Sequence, residues 1–322
     1  MKFATKLFAA GLAMLAGAAV AQPTYPGRQI TIVVPFPAGG QQDIEARALA
    51  DSMQRRMGQP VIVENRPGAG AAIGIGYVAK AAPDGYTVLV TGAGAALLHL
   101  VQKNLGFDNT KDIVPVSMLS NGTSLIVAPK EVGAKNWPEF MEIAKKNPGK
   151  LNYATLGVSS VSLAMEGLRN AAGNLPMTDI PYKGSAEYIT AALRNDVQLI
   201  LSTIGSFKQH IDAGAFVPMM QVAEKRNAAF PNVPTTKELG YGEKIRPFAW
   251  TGVFVPAGTP QPIINRIYEE VAFYVKQPES LKRAEGYYTD LVGSTPADFK
   301  NVYDADIAAW GAVAKSINLQ PQ

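Results

Sequence analysis

The sequence contains no cysteine. Disulfides, thiol nucleophiles and thiolate metal ligands are thereby excluded together, so the fold must rest on core burial alone. Histidine is nearly absent: His99 and His210 are the only two. Neither has a neighbouring ligand set, so a histidine metal centre or a Ser-His-Asp relay has little to build on. No G-x-S-x-G elbow occurs. A charge of one sign is lacking too: the formal net charge is +4, and removing Lys2 and Lys6 leaves +2. That balance excludes nucleic-acid binding by charge. The 30 Gly and 23 Pro are scattered at turns rather than clustered, which excludes a low-complexity chain.

Long apolar runs are missing except near the start. Lys2 and Lys6 precede an apolar or small stretch, Leu7 to Val20, of about 14 residues, short of the roughly 20 that span hydrocarbon. Ala19-Val20-Ala21 then offers a small-x-small cleavage site. Residues 1–21 therefore read as a secretory signal peptide cut after Ala21, and the missing Cys excludes a lipoprotein anchor. The mature chain is expected to be soluble.

Beyond that segment the chain alternates strand and helix signals. Ile30–Pro35, Pro60–Glu64 and Tyr86–Val90 are β-branched runs separated by segments of helical spacing, notably Asp43–Met57. A second unit opens at Asn136-Trp137-Pro138-Glu139 and repeats the alternation to about Val222, and Trp250–Val255 leads into a helical tail. The expected class is α/β: two lobes, each a helix-flanked, mostly parallel sheet, in a periplasmic-binding-protein or Venus-flytrap arrangement. Residues 22–122 plus 251–322 would form lobe 1 and 123–250 lobe 2. Strand-like crossings near Thr123–Ala128 and Ala249–Val255 would form the hinge, with a small ligand between the lobes.

The order of short motifs resembles one family. The pieces are Ile32-Val33-Val34-Pro35-Phe36-Pro37-Ala38-Gly39-Gly40 followed by Asp43, Val63-Glu64-Asn65-Arg66-Pro67-Gly68-Ala69-Gly70, Ala79-Lys80-Ala81-Ala82-Pro83-Asp84-Gly85-Tyr86, Pro148-Gly149-Lys150-Leu151-Asn152-Tyr153-Ala154, Pro181-Tyr182-Lys183-Gly184, Phe254-Val255-Pro256-Ala257-Gly258-Thr259-Pro260 and Gly293-Ser294-Thr295-Pro296. From Tyr25 to about Asn318 the chain resembles the Bug-type periplasmic receptors of tripartite tricarboxylate transporters. The resemblance implies capture of a small organic carboxylate in the periplasm, hand-over to separate membrane components of the transporter, and no enzymatic activity or cofactor. A monomer is expected. A receptor that signals to a membrane sensor, or a hydrolase or lyase using Asp43, are the alternatives.

Pro37–Asp43 carries the most physical information. Two glycines let the backbone approach a ligand, and the N–H groups of the first helical turn favour an anion. In the family this loop grips a carboxylate, which implies binding roles for Ala38, Gly39, Gly40 and Asp43; Asp43 equally suits a first-turn capping role. Gln41 and Gln42 stand where relatives usually carry small residues, so longer amides narrow the pocket or add contacts. Other strand-to-helix turns should face the same cleft: Thr91 and Ala93, then Thr155, Gly157, Ser159 and Ser160, then Ser202 and Thr203. Relatives often carry Asp at the Ser202 position, so its absence argues against an amino-acid ligand. Tyr182 offers an aromatic edge, whereas Lys183 reads as a solvated turn residue and Trp250 as hinge packing.

Two further patterns carry no chemistry. Gly68, Gly70 and Gly74 are spaced G-x-G-x-x-x-G, which is not a dinucleotide fingerprint, and they read as a loop packing helix on sheet. Glu269-Glu270 reads as the solvated face of an amphipathic helix.

Overall fold

The parallel part of the molecule grows from the first β-branched run. Ile30–Val34 forms β1, whose Ile30, Ile32, Val33 and Val34 have no exposed surface, as expected of a strand covered on both faces. Helix α1 follows at Gln41–Met57, with Asp43 in its first turn, Arg55 and Arg56 in its last, and Gly58 left-handed beyond its end. Both charges oppose the helix dipole. Then come β2 (Val61–Asn65), α2 (Ala72–Ala79), β3 (Thr87–Gly92), a 3-10 turn at Ala93–Leu97 continuing into α3 (Leu98–Val101), and β4 (Ile113–Gly122). This is a computed structural model describing residues 25–155, 159–182, 184–242, 244–245, 247–316 and 319–321. The signal-peptide expectation for residues 1–21, Gly157 and Lys183 lie outside the described residues.

The chain crosses at Thr123 into β5 (Ser124–Pro129). It continues through α4 (Trp137–Lys146), β6 (Leu151–Thr155), α5 (Ser160–Ala171), β7 (Met177–Pro181), α6 (Ser185–Leu193), β8 (Ile200–Thr203), α7 (Ile204–Asp212) and β9 (Phe216–Val222). It returns as β10 (Trp250–Pro256), α8 (Gln261–Tyr274), α9 (Pro278–Gly286), β11 (Thr289–Leu291) and α10 (Pro296–Ser316).

One sheet has the order β11-β4-β10-β3-β1-β2; β5 lies between β8 and β9 in another, and β6 pairs with β7. A parallel bridge from Tyr153 to Leu199 links the last two groups. The two-lobed α/β class holds, and its sheets are mixed. Strand β1 is parallel to β2 and β3, but β10 is antiparallel to β3 and β4. The cause is the return path. Trp250 starts β10 beside Asn121, and Thr251 pairs with Gly92, the last residue of β3, so β10 enters where β3 ends and runs the other way. Strand β5 does the same in the second lobe, its Ser124 facing Thr203 and Val222 at the ends of β8 and β9.

The two crossings touch: the Gly122 N–H donates to the Ala249 carbonyl at 2.9 Å. Alternation splits the first sheet between two cores. Ile30, Ile32, Val88 and Val90 meet Leu49 and Met53 of α1 and Ile267 and Val271 of α8, while Val33 and Leu89 face Ile75 and Val78 of α2. Helix α10 locks the back through Phe299, whose ring packs against Trp250 and Phe254. A Cβ at Gly252 would overlap that ring. Trp250 donates its indole N–H to buried Asp306 at 2.7 Å. No helix of the described residues is long and apolar enough to cross a membrane.

Glu270 corrects the reading of Glu269-Glu270 as a solvated pair. Its side chain is fully buried where α8 meets α1, held by Arg56 at 2.9 Å and by Arg266. A buried carboxylate is tolerable there because two guanidiniums compensate it.

Candidate ligand-binding site

Between the lobes lies a cleft of about 540 Å³. Four α-helices from both sides bring their first residues to it: Gln41 and Gln42 of α1, Ser160 of α5, Ser185 of α6, and Ser206 in the first turn of α7. The ends of the strands supply Gly92 and Ala93 after β3, Ser202 and Thr203 of β8, and Thr251 of β10. Helices α1, α6 and α7 have no side-chain cap, and residues of their first turns line the cleft. In α5 the Ser159 hydroxyl accepts from the Ser162 N–H at 3.3 Å.

The lining, among the described residues, contains no Asp, Glu, Lys, Arg or His. It combines hydroxyls and amides with an apolar wall of Phe36, Leu97, Leu98, Val161 and Phe248. Tyr188 contributes a hydroxyl that donates to the Leu201 carbonyl at 2.8 Å, and burial pushes it up to about 12, so it stays protonated. Among the described residues, helix dipoles and neutral donors are what supplies positive potential here.

The structure distributes the expected site residues unevenly. Gln41, Gln42, Ala93, Ser159, Ser160, Ser202 and Thr203 meet in this cleft. Ala38, Gly39 and Gly40 are exposed, directly precede Gln41 and do not line the cleft. Asp43 is turned away: its carboxylate accepts from the Gly39 N–H at 2.8 Å, Asn65 Nδ2 at 2.9 Å and Arg47 Nε at 3.1 Å. Burial would raise its pKa, but these donors outweigh that and hold it at about 2. Gly39 sits at φ +86°, and Asp43 closes that turn.

Thr91 is fully buried within β3, and Thr155 spends its hydroxyl on Asp179 at 2.6 Å; neither lines the cleft. Tyr182 stands behind Tyr188, edge to face at 6.4 Å. The apolar wall, Ser124, Ser185 and Ser206 went unforeseen. Ser185 and Ser206 were open to the same argument from helix starts that singled out Ser160; Leu97 and Phe248 carry no local mark that separates a cleft wall from a core. No cluster of three or more His, Cys, Asp or Glu suited to a metal occurs among the described residues.

Comparison with known proteins agrees with this geometry. A model of the tripartite tricarboxylate transporter family receptor matches residues 45–319. Protein BugT of Bordetella pertussis is 30% identical over 318 residues, covering 97% of each chain. Among solved structures, Rpa4515 of R. palustris with adipate superposes with a TM-score of 0.81 at 28% identity, covering 92% of this chain and all of that one. MatC from Rhodopseudomonas palustris with bound malate superposes at 0.75 and 28% identity, covering 90% of this chain and 100% of the other.

Proposed function

This chain belongs to the tripartite tricarboxylate transporter receptor family, a family of solute-binding receptors rather than enzymes, and on that premise we propose that it captures a small organic carboxylate in the periplasm for a tripartite transporter. The observation that carries the reading is the convergence of four helix N-termini from both lobes on one cleft that, among the described residues, has no ionic side chains. Such a site suits an anion held by N–H groups, hydroxyls and amides. Adipate and malate in the two structural relatives are ligands of this class.

The ligand is a mono- or dicarboxylate without an amino group, because no acidic side chain among the described residues lines the cleft to meet an ammonium. Phe36, Leu97, Leu98, Val161 and Phe248 favour a hydrocarbon or aromatic body. The contacting set comprises Gln41, Gln42, Ala93, Ser159, Ser160, Ser202 and Thr203, with Ala38–Gly40 closing over the ligand. Charge-assisted hydrogen bonds contribute roughly 1.5–3 kcal/mol each, and burial of the ligand's hydrocarbon against the apolar wall adds to them against the cost of association. Lobe 1 comprises residues 22–122 and 251–322, lobe 2 residues 123–250, and the protein acts as an exported monomer cut after Ala21.

A thermal-shift screen tests this. Organic acids should raise the melting temperature while sugars leave it unchanged. Stabilisation by sugars with no response to any acid would reject the reading. Mass spectrometry of periplasmic extract should find Gln22 as the first residue, and retention of Met1 in a membrane fraction would contradict export.

A further inference from the structure

Glu45 lies one turn beyond Gln41 on α1 and does not line the cleft. Its carboxyl group is largely enclosed, although the residue as a whole keeps partial exposure. It accepts from Gln41 Nε2 at 3.0 Å and from Ser120 Oγ at 2.9 Å, and it also bonds the Thr251 hydroxyl. Ser120 precedes the first crossing on β4, and Thr251 follows the second on β10. One carboxyl therefore ties the helix that opens into the cleft to both strands that join the lobes.

The surroundings provide hydrogen bonds without a counter-ion. Across a small chamber Glu45 is faced by Tyr274 of α8, by Arg283 of α9, by Tyr287 and by Thr289 of β11. Arg283 is the single cation among the residues lining that chamber, and it is hydrogen-bonded to Tyr274. The nearest charges on its own helix, Asp43 and Arg47, pair with each other. Burial accordingly raises the Glu45 pKa against the opposing hydrogen bonds from Gln41, Ser120 and Thr251.

We propose that Glu45 couples anion capture in the cleft to the uptake of a proton. The inference rests on the carboxylate reading above and on two effects of the same sign. An ionised Glu45 stands one amide away from a cleft whose lining, among the described residues, holds no cation to offset it, so it repels a bound carboxylate. It also holds the Gln41 NH₂ group, which reaches the Thr289 hydroxyl at 3.4 Å as well, so these donors are spent away from an anion and only the amide oxygen is left. A protonated Glu45 donates its O–H to that oxygen instead, which turns the NH₂ toward the anion. The proton comes from solvent and stays on Glu45; no bond of the ligand breaks. Carboxylate affinity therefore falls as pH rises through the Glu45 pKa.

Calorimetry with adipate, or malate or benzoate where adipate gives no heat, in buffers of different ionisation enthalpy counts the protons taken up at each pH over which the protein stays folded. Wild-type protein should take up a fraction of a proton and lose up to about tenfold in affinity per pH unit at the alkaline end. Glu45→Gln, which cannot ionise, should bind with no uptake and a flat profile. Ser120→Ala removes a bond to the ionised form and should move the uptake to higher pH, which keeps the test available if Glu45→Gln fails to fold. Binding without proton uptake in the wild type, or uptake unchanged in Glu45→Gln, overturns the coupling and leaves carboxylate capture intact. No heat with any of the three acids at any pH overturns carboxylate capture and the coupling with it.

Discussion

At the scale of single residues, Asp43 closes the Gly39 turn that precedes α1, its carboxylate held by Gly39, Asn65 and Arg47. Its ordinary pKa near 3.8 falls to about 2 in the folded protein. A depressed carboxylate contributes stability above its unfolded pKa and loses it as pH falls through the folded one. The contribution is roughly 2 kcal/mol at neutral pH. Asp43→Asn should therefore cost about that much in urea unfolding at pH 7, and the difference from wild type should vanish as pH falls from about 4 to about 2. Gly94 tests the cleft itself. It lines the wall, and a Cβ there meets nothing within 4 Å. Gly94→Val should leave stability within about 0.5 kcal/mol and weaken carboxylate binding at least tenfold, measured by calorimetry. Residue roles were the least legible part of the sequence. Asp43 and Thr155 stand beside the right turns, yet whether a polar side chain points at a ligand or at Arg47 or Asp179 is decided by tertiary neighbours.

Among the elements, α10 depends on one glycine. Phe299 lies across Gly252 of β10, between Trp250 and Phe254. Gly252→Ala should destabilise by about 1–3 kcal/mol through overpacking, read as a lower midpoint in chemical denaturation with an unchanged slope. Helices were readable where punctuation was strong. Asn136 caps α4 by accepting from the Glu139 N–H at 3.0 Å, so that helix starts where its sequence mark stands. Strand β11 escaped notice because three residues are too few to show a period. Glu270 was misread because a charged pair on a helix gives no sign of which member meets Arg56 across α1.

For the whole molecule, the two-lobed plan was legible because alternation and motif order are properties of long stretches. Antiparallel entry of β10 and β5 was not, since strand direction within a sheet depends on where the chain re-enters. The contact between crossings at Gly122 and Ala249 makes the hinge short, and Trp310 of α10 meets Phe248 beside it at 5.8 Å. Closure of the cleft is therefore expected as rotation about these crossings rather than separation of the lobes. The central claim is that this cleft selects a carboxylate without an amine. Calorimetry on matched pairs, adipate against 2-aminoadipate and malate against aspartate, tests it most directly. The account predicts 1:1 binding of at least one plain acid and affinity at least tenfold weaker for its amino partner. Tighter binding of the amino acid in either pair would contradict it.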